Sequence, residues 1–262
     1  MRARTLFAIA LVAAVVPLQA QRAGGPPAGP PRTVAPIDLT GYWVSVVSMD
    51  WRWRMVTPAK GDYAGVPMNA ASKTVADAWD PAKDEAAGEQ CKSYGAPAIM
   101  SVPGRLHITW QDDSTLKVET DAGQQTRLLA IGPVPPVKPP PSWQGMSVAQ
   151  WQMSAPGLPL MLRPQERAAD VPPPAAVRGG TLKVTTTNLR AGYLRKNGVP
   201  YSADAVLTEY YDVTKYGNDT LLTVTTIVDD PTYLRTRRLI AYPFKKEANG
   251  DKWDPTPCSA RW

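Results

Sequence analysis

Few side chains in this sequence could carry out catalysis, and most of them lie in strand-like segments. His107 is the single histidine, and Glu209 and Asp212 are carboxylates in a later strand-like segment. A histidine or carboxylate in a cavity can act as a general acid or base, so these three are weak catalytic candidates. A Ser-His-Asp triad would have to use His107, and no G-x-S-x-G elbow supplies its nucleophile. A lone histidine in a strand is more often a hydrogen-bonded bystander, so enzymatic activity is uncertain and disfavoured.

Metal, nucleotide and nucleic-acid chemistry have little support. One histidine and two cysteines leave no room for a multi-histidine metal site, a zinc ribbon or an iron–sulfur cluster. The acidic pair Asp229-Asp230 is typical of a turn, and the spaced pattern of a calcium loop is absent. There is no Gly-rich phosphate loop or dinucleotide fingerprint. The net charge of +6 is scattered rather than gathered into a basic face. We therefore expect no metal, no cofactor and no nucleic-acid partner.

Aromatic and basic residues alternate early in the chain. Trp51 and Trp53 alternate with Arg52 and Arg54, which predicts a strand over 51–56 with indoles on one face and guanidinium groups on the other. A tryptophan stripe with this period is most often core. The functional alternative is a stacking platform for a flat apolar ligand. The candidate ligand contacts are Trp51, Trp53, Arg127 and Tyr210.

The first twenty residues have the pattern of a secretory signal peptide. Arg2 and Arg4 precede an apolar run over 6–16, and Ala20 offers a small residue for cleavage. We expect residues 1–20 to be removed and the protein to be periplasmic or extracellular. No later segment is long and apolar enough to span a membrane. Residues 21–36 are rich in glycine and proline and predict a flexible tether.

The two cysteines, Cys91 and Cys258, are predicted to pair in an oxidising compartment. Their bridge would close a long loop, which the chain-entropy model values at roughly 4–5 kcal/mol. The alternative, a reactive cysteine, would need a base nearby, and only His107 exists.

Period-two alternation of apolar and polar residues recurs through residues 37–262, which we interpret as a single all-β domain. One short helix is predicted over 70–79, with Asn69 as its N-cap. Two Pro-rich segments, 132–142 and 154–179, predict long loops. Mixed polarity on both faces of 204–213 favours an antiparallel barrel over a sandwich. The predicted strands are 42–48, 51–56, 105–110, 115–120, 124–131, 147–153, 181–187, 204–213, 219–228 and 234–245.

The chain resembles a family of uncharacterised secreted bacterial proteins that open with a D-L-x-G-x-W stretch. The resemblance implies no activity, because the family has no established reaction. Its motifs correspond here to Asp38 to Trp43, Trp79-Asp80-Pro81, Cys91, Pro97, Trp143 to Ser147, Leu182 to Asn188, Ser202, Glu209, Asp229-Asp230-Pro231 and Cys258.

The Gly41-Tyr42-Trp43 element is also similar to the G-x-W opening of lipocalin-like barrels. That resemblance implies that Gly41 lets the chain enter the first strand and that Trp43 plugs one barrel end. It further implies that an arginine of a late strand covers Trp43 by cation–π stacking. The candidates for this role are Arg235, Arg237 and Arg238.

Three hypotheses for function remain open. The first is a secreted, lipocalin-like protein that binds a small hydrophobic or aromatic ligand. The second is a structural or interaction protein of the envelope that uses residues 132–179 to contact another chain. The third is a cofactor-free enzyme with an acid or base in the barrel cavity.

Overall fold

The computed structural model describes residues 29–134, 138–153 and 179–261, and within these ranges nine strands close into a barrel. The strands are β1 (Gly41–Ser45), β2 (Arg105–Trp110), β3 (Thr115–Thr120), β4 (Thr126–Ile131), β5 (Met146–Met153), β6 (Gly180–Thr187), β7 (Gly192–Tyr193), β8 (Pro200–Tyr201), β9 (Val206–Tyr216), β10 (Asp219–Asp229) and β11 (Arg238–Glu247). Around the barrel the strand order is β1-β11-β10-β9-β6-β5-β4-β3-β2, and β7 pairs only with β8.

Alternation along the strands fills the barrel interior with side chains. Leu116 and Val118 of β3, and Leu222 and Val224 of β10, are fully buried, while their neighbours in sequence are partly exposed. Every second residue of a strand points to the same face of the sheet. The predicted β-barrel is therefore confirmed, and its interior is a packed hydrophobic core.

The barrel is mostly antiparallel, as predicted, and one pair of neighbouring strands is parallel. β4 and β5 pair in parallel, with Leu129 opposite Ser147 and Ile131 opposite Ala149. A tight turn can join only antiparallel strands, whereas parallel neighbours need a long return connection. The Pro-rich residues after β4 supply that return before β5 begins at Met146.

The prediction of one short helix is wrong only in number, because the described residues contain four short α-helices and a 3-10 helix. The predicted helix is present, and Asn69 Oδ1 accepts a hydrogen bond from the Ser72 N–H at 3.0 Å. The predicted strand 51–56 is instead mostly helical, so its side chains do not alternate between two faces. The helices are α1 (Trp51–Arg54), α2 (Ala70–Asp77), α3 (Pro81–Ala86) and α4 (Ala96–Ile99), with the 3-10 helix at Gln90–Tyr94.

Two excursions cover the same end of the barrel, which we call the capped end. Residues 46–104 leave β1 and return to β2, and residues 188–205 join β6 to β9. The strand pairings place the start of β11 at this end as well, since Arg238 lies opposite Val228 at the end of β10. Every helix in the described part of the chain belongs to the first excursion. Helices and loops therefore cover the barrel at the capped end.

A disulfide bond between Cys91 and Cys258 ties the C-terminal segment to the capped end, as predicted. The bridge joins residues 167 positions apart. Beside it, the Ser259 N–H donates to the Tyr94 hydroxyl at 3.2 Å. None of the helices in the described ranges has the length and apolar character needed to cross a membrane.

Trp43 belongs to the hydrophobic core of the barrel, and a lysine covers its ring. The indole is fully buried, and its Nε1 donates to the Leu39 carbonyl oxygen at 2.9 Å. Lys246 Nζ of β11 lies 5.1 Å from the ring centroid. The expectation of Arg235, Arg237 or Arg238 in this role is therefore wrong. Gly41 has a φ of 109°, a conformation that L side chains rarely adopt.

Parts of the predicted organisation fall outside the described residues. The predicted signal peptide, 1–20, lies there, as do nearly all of the 154–179 segment and residues 135–137 of the other loop. Of the predicted tether, residues 29–36 are described. The Arg32 N–H donates to the Asp113 carbonyl oxygen at 2.9 Å, so this part of the chain contacts the barrel.

Candidate functional site

Four cationic side chains surround a small cavity at the capped end of the barrel. Arg54 comes from α1, Arg195 and Lys196 from the turn between β7 and β8, and Arg238 from the first position of β11. The cavity has a volume of about 20 Å³. Its remaining lining residues are Asp50, Trp53, Ser93, Ser101 and Val102.

Local backbone requirements position two of the contributing segments. Asp50 precedes α1 in the left-handed conformation, with φ 53° and ψ 24°, which turns the chain over the barrel end. Gly198 has a φ of 82° in the β7–β8 turn, and a Cβ there would lie 2.2 Å from Cβ of Trp79. Glycine is therefore required at the turn that presents Arg195 and Lys196 to the cavity.

All four cations are withdrawn from solvent. The exposed fraction is 4% for Arg54, 6% for Arg195, 5% for Lys196 and 4% for Arg238. Charged residues are almost never fully buried unless they are paired, because the charge loses its hydration. The role of this cluster therefore depends on which groups compensate the charge of each cation.

Arg54 is satisfied by its surroundings. Its guanidinium donates to the Ser101 carbonyl oxygen at 2.8 Å and to the Ser45 hydroxyl at 2.9 Å. The same group lies 5.1 Å from the ring centroid of Tyr242. These contacts link α1 to the barrel, and we assign Arg54 a structural role.

Arg195 and Arg238 have much weaker compensation. Both approach the same carboxylate, with Asp50 Oδ2 at 3.5 Å from Arg195 and 3.8 Å from Arg238. Arg195 also donates to the Ala64 carbonyl oxygen at 2.8 Å and stacks on Trp53 at 4.7 Å. Among the described residues, the buried Nε of Arg238 has no hydrogen-bond partner. Two guanidinium groups thus share one distant carboxylate, which leaves excess positive charge in the cavity.

Burial destabilises the charged forms of these arginines, and this effect lowers their pKa values. Burial, and then the neighbouring charge of Arg238, lower the pKa of Arg195 below its usual value, although Asp50 opposes the shift. Burial likewise lowers the pKa of Arg54. An arginine at such a pKa still carries its charge at neutral pH. An anion in the cavity would relieve this cost by supplying the missing negative charge.

The structure separates the four candidate ligand contacts. Trp53 lines the cavity, but Trp51 lies on the outer side of α1 and is 64% exposed. Arg127 lies inside the barrel, where its guanidinium pairs with both carboxylate oxygens of Glu209 at 2.9 and 2.5 Å. Tyr210 of β9 is half-buried and points to the opposite face of the strand from its buried neighbours Glu209 and Tyr211. Only Trp53 of the four contacts the cationic cavity.

The weak catalytic candidates are also dispersed. Glu209 is fully buried in its pair with Arg127. Asp212 accepts a hydrogen bond from the Thr181 hydroxyl. His107 stacks on Tyr42 with ring centroids 4.1 Å apart, and its Nδ1 lies 3.4 Å from Glu119 Oε2. No two of these three carboxylate and imidazole groups contact each other in the hydrogen bonds and ion pairs of the described residues.

Sequence reasoning missed the residues that form the cavity. Arg195 and Lys196 precede an Asn-Gly pair, which is a strong turn signal and could have located them at a hairpin. Arg54 and Arg238 were visible only as members of scattered basic groups. No sequence signal places all four at one barrel end, because they come from three distant segments.

No family model, curated protein or solved structure matches this chain. Within the described ranges, no cluster of three or more histidine, cysteine, aspartate or glutamate side chains could hold a metal ion. The function therefore has to be inferred from the cavity itself.

Proposed function

We propose that this protein is a secreted, lipocalin-like barrel that binds a small anionic ligand at its capped end. The observation that carries the proposal is the buried pair Arg195 and Arg238, which share Asp50 at 3.5 and 3.8 Å. Arginine is suited to carboxylate and other oxyanions because its planar fork can donate two parallel hydrogen bonds.

The packed interior supports a site at the barrel end rather than within the barrel. Trp43, Tyr211 and Phe244 are among the large side chains that fill the interior. A lipocalin-like ligand cup would need that volume to be open. The sequence alone favoured an apolar or aromatic ligand, and the charges at the cavity favour an anionic group on that ligand. Trp53 borders the cavity, and its ring already stacks against Arg195.

The cavity volume limits what can enter it. About 20 Å³ accommodates a group little larger than one water molecule, such as a carboxylate. A ligand of more than a few non-hydrogen atoms would therefore bind with its anionic group in the cavity and the remainder of the molecule outside.

Secretion is part of the proposal. It is supported by the predicted signal peptide together with the Cys91–Cys258 disulfide, since disulfides persist in oxidising compartments.

Thermal unfolding with added acetate, phosphate or sulfate at constant ionic strength tests the proposal. Ligands that bind only the folded state raise its stability by mass action, reaching about 2.7 kcal/mol at one hundred times Kd. We expect a saturable rise in Tm for wild type with at least one of these anions. Arg238→Gln should abolish that rise.

Arg237→Gln is the matched control, because it removes the same charge one residue away. The Arg237 side chain is 72% exposed and pairs with Asp229 at 2.7 Å. It should retain the wild-type response. An equal response in all three proteins would indicate a general salt effect and contradict the proposed site.

A further inference from the structure

A lysine lines the cavity together with the arginines. Lys196 is 5% exposed and lines the same cavity as Arg195 and Arg238. Its position is fixed by the β7–β8 turn, directly after Arg195. One lysine and two arginines suited to oxyanions thus line the same small cavity.

A phenol lies within proton-transfer distance of this amine. Lys196 Nζ and the Tyr94 hydroxyl are 2.6 Å apart, and Nζ lies 4.4 Å from the Tyr94 ring centroid. The Tyr94 hydroxyl oxygen is held in place by the Ser259 N–H. Tyr94 is itself buried, with 2% exposure, so amine and phenol are shielded together.

The burial of Lys196 changes the chemistry of its amine. Desolvation lowers the pKa of Lys196 to about 7. A large fraction is then uncharged at neutral or mildly alkaline pH, whereas a solvent-exposed lysine remains protonated. An uncharged, desolvated lysine is a nucleophile toward carbonyl groups.

We propose that Lys196 forms a reversible imine with the carbonyl group of an oxo acid, while Arg195 and Arg238 bind the carboxylate of the same molecule. This inference rests on the proposed function, because it uses the same anion-binding groups. It narrows the ligand to small compounds that carry both an aldehyde or ketone and a carboxylate.

The covalent step needs no oxidant or reductant. The Lys196 lone pair attacks the carbonyl carbon, a C–N bond forms, and the electron pair of the C=O bond moves to oxygen. Transfer of a proton from nitrogen to this oxygen gives a carbinolamine. The hydroxyl then gains a second proton, the C–O bond breaks, and water leaves as the C=N bond forms. The Tyr94 hydroxyl is placed to donate that proton and to regain one from nitrogen.

Reductive trapping tests the inference. The whole protein is incubated with glyoxylate and cyanoborohydride, then analysed by intact mass and peptide mapping. We expect one reduced adduct per chain, at Lys196, formed before the exposed lysines react. Acetaldehyde, which lacks the carboxylate, should label Lys196 at least about ten-fold more slowly, because it forgoes the bidentate arginine contacts.

Lys196→Arg is the control for site and charge, and it should lose the rapid adduct. Labelling of exposed lysines alone in the wild-type protein would overturn the inference, and this result does not depend on whether the variant folds. Equal rates for glyoxylate and acetaldehyde at Lys196 would also overturn it.

The two proposals fail in different ways. If acetate raises the Tm of wild type but not of Arg238→Gln, and glyoxylate leaves Lys196 unlabelled, only the imine is wrong. If no anion raises the Tm, the proposed function is wrong.

Discussion

Two groups of buried arginines differ in how their charges are compensated. In the barrel centre, Arg127 makes two hydrogen bonds to Glu209, at 2.9 and 2.5 Å, and a third to the Thr186 hydroxyl at 3.3 Å. At the capped end, Arg195 and Arg238 share Asp50 at 3.5 and 3.8 Å. All three arginines are nearly inaccessible to solvent.

The pKa values of the arginines in the two groups are shifted in opposite directions. Burial alone would lower the pKa of Arg127, but the charge of Glu209 and the contact with Tyr211 raise it above its usual value. The pKa of Arg195 is instead lowered by burial and by Arg238. A fully paired buried charge leaves no unmet demand for a counter-ion, so only the loss of its partner is strongly destabilising. A poorly paired buried charge retains affinity for an external anion.

Position in the fold supports this division of roles. Glu209 and Thr226 lie opposite each other on β9 and β10. On one side of them are Tyr211 and Val224 of the barrel core, and on the other are members of a second cluster beneath the capped end. The Arg127–Glu209 pair therefore lies within a polar layer between two hydrophobic clusters, and both side chains are shielded from solvent.

Removing one member of the central pair should have the largest effect. Glu209→Ala leaves Arg127 buried and unpaired, so we expect the free energy of unfolding to fall by about 3–5 kcal/mol. Urea denaturation at pH 7 measures the change. Replacing both residues with leucine removes both charges and should restore stability to near the wild-type level. A loss below about 1 kcal/mol in Glu209→Ala would mean that the central pair is not what holds this layer together.

Lys196 should make stability depend on pH. Its folded pKa is about 7 and its usual value 10.5, so between these limits the unfolded chain binds the additional proton. The free energy of unfolding should therefore rise with pH in this window, by up to about 1.4 kcal/mol per pH unit. Urea denaturation between pH 7 and 9 avoids tyrosine ionisation.

Lys196→Gln should flatten this dependence, and an unchanged slope would contradict a buried, destabilised ammonium. Other ionisable groups near Lys196 are common to both proteins, so they cancel in the comparison. On the cavity side and on the side of α3 and the 3-10 helix these groups are Asp50, Arg54, Tyr94, Arg195, Arg238, Asp84, Glu89, Lys92 and Tyr193.

Removing a poorly paired arginine should have the opposite sign from removing a paired one. In anion-free buffer, Arg238→Met should raise the free energy of unfolding by about 1 kcal/mol, because an uncompensated buried charge is lost. Arg127→Met should lower it by about 3–5 kcal/mol, because Glu209 is left unpaired. Similar losses in the two variants would show that Arg238 is as well compensated as Arg127.

Asp50 should compete with a bound anion for the same guanidinium groups. Asp50→Asn keeps a residue that tolerates the left-handed conformation and removes the negative charge. Acetate affinity, measured by calorimetry, should increase about three-fold or more. Asp229→Asn, which alters a carboxylate paired with the exposed Arg237, should leave the affinity unchanged. Weaker binding to Asp50→Asn would mean that Asp50 orients the arginines rather than competing.

The barrel could be predicted from local patterns, but its connections could not. Alternation over 115–120 and 219–228 gave the strands nearly to the residue, because each strand buries one face. The parallel pairing of β4 with β5 depends on where a long connection returns, which no local period encodes. The Trp-Arg alternation of 51–54 has the period of a strand, yet tertiary contacts of Arg54 place it in a helix.

The site was less predictable than the fold. Cys91 and Cys258 could be paired because only two cysteines exist. The burial of Arg195 and Arg238 is a property of the assembled capped end. The local sequence around each arginine predicts only an exposed basic side chain. Likewise, Glu209 and Arg127 are 82 positions apart, and only the closed barrel brings them together.

Crystals soaked in sodium bromide provide the most direct test of the difference between the two arginine groups. Anomalous scattering would locate bound bromide without assumptions about the ligand. We expect a peak in the cavity within hydrogen-bonding distance of the Arg238 and Arg195 guanidinium groups, and none beside Arg127. Peaks confined to the protein surface, with none in the cavity, would contradict an anion site at the capped end.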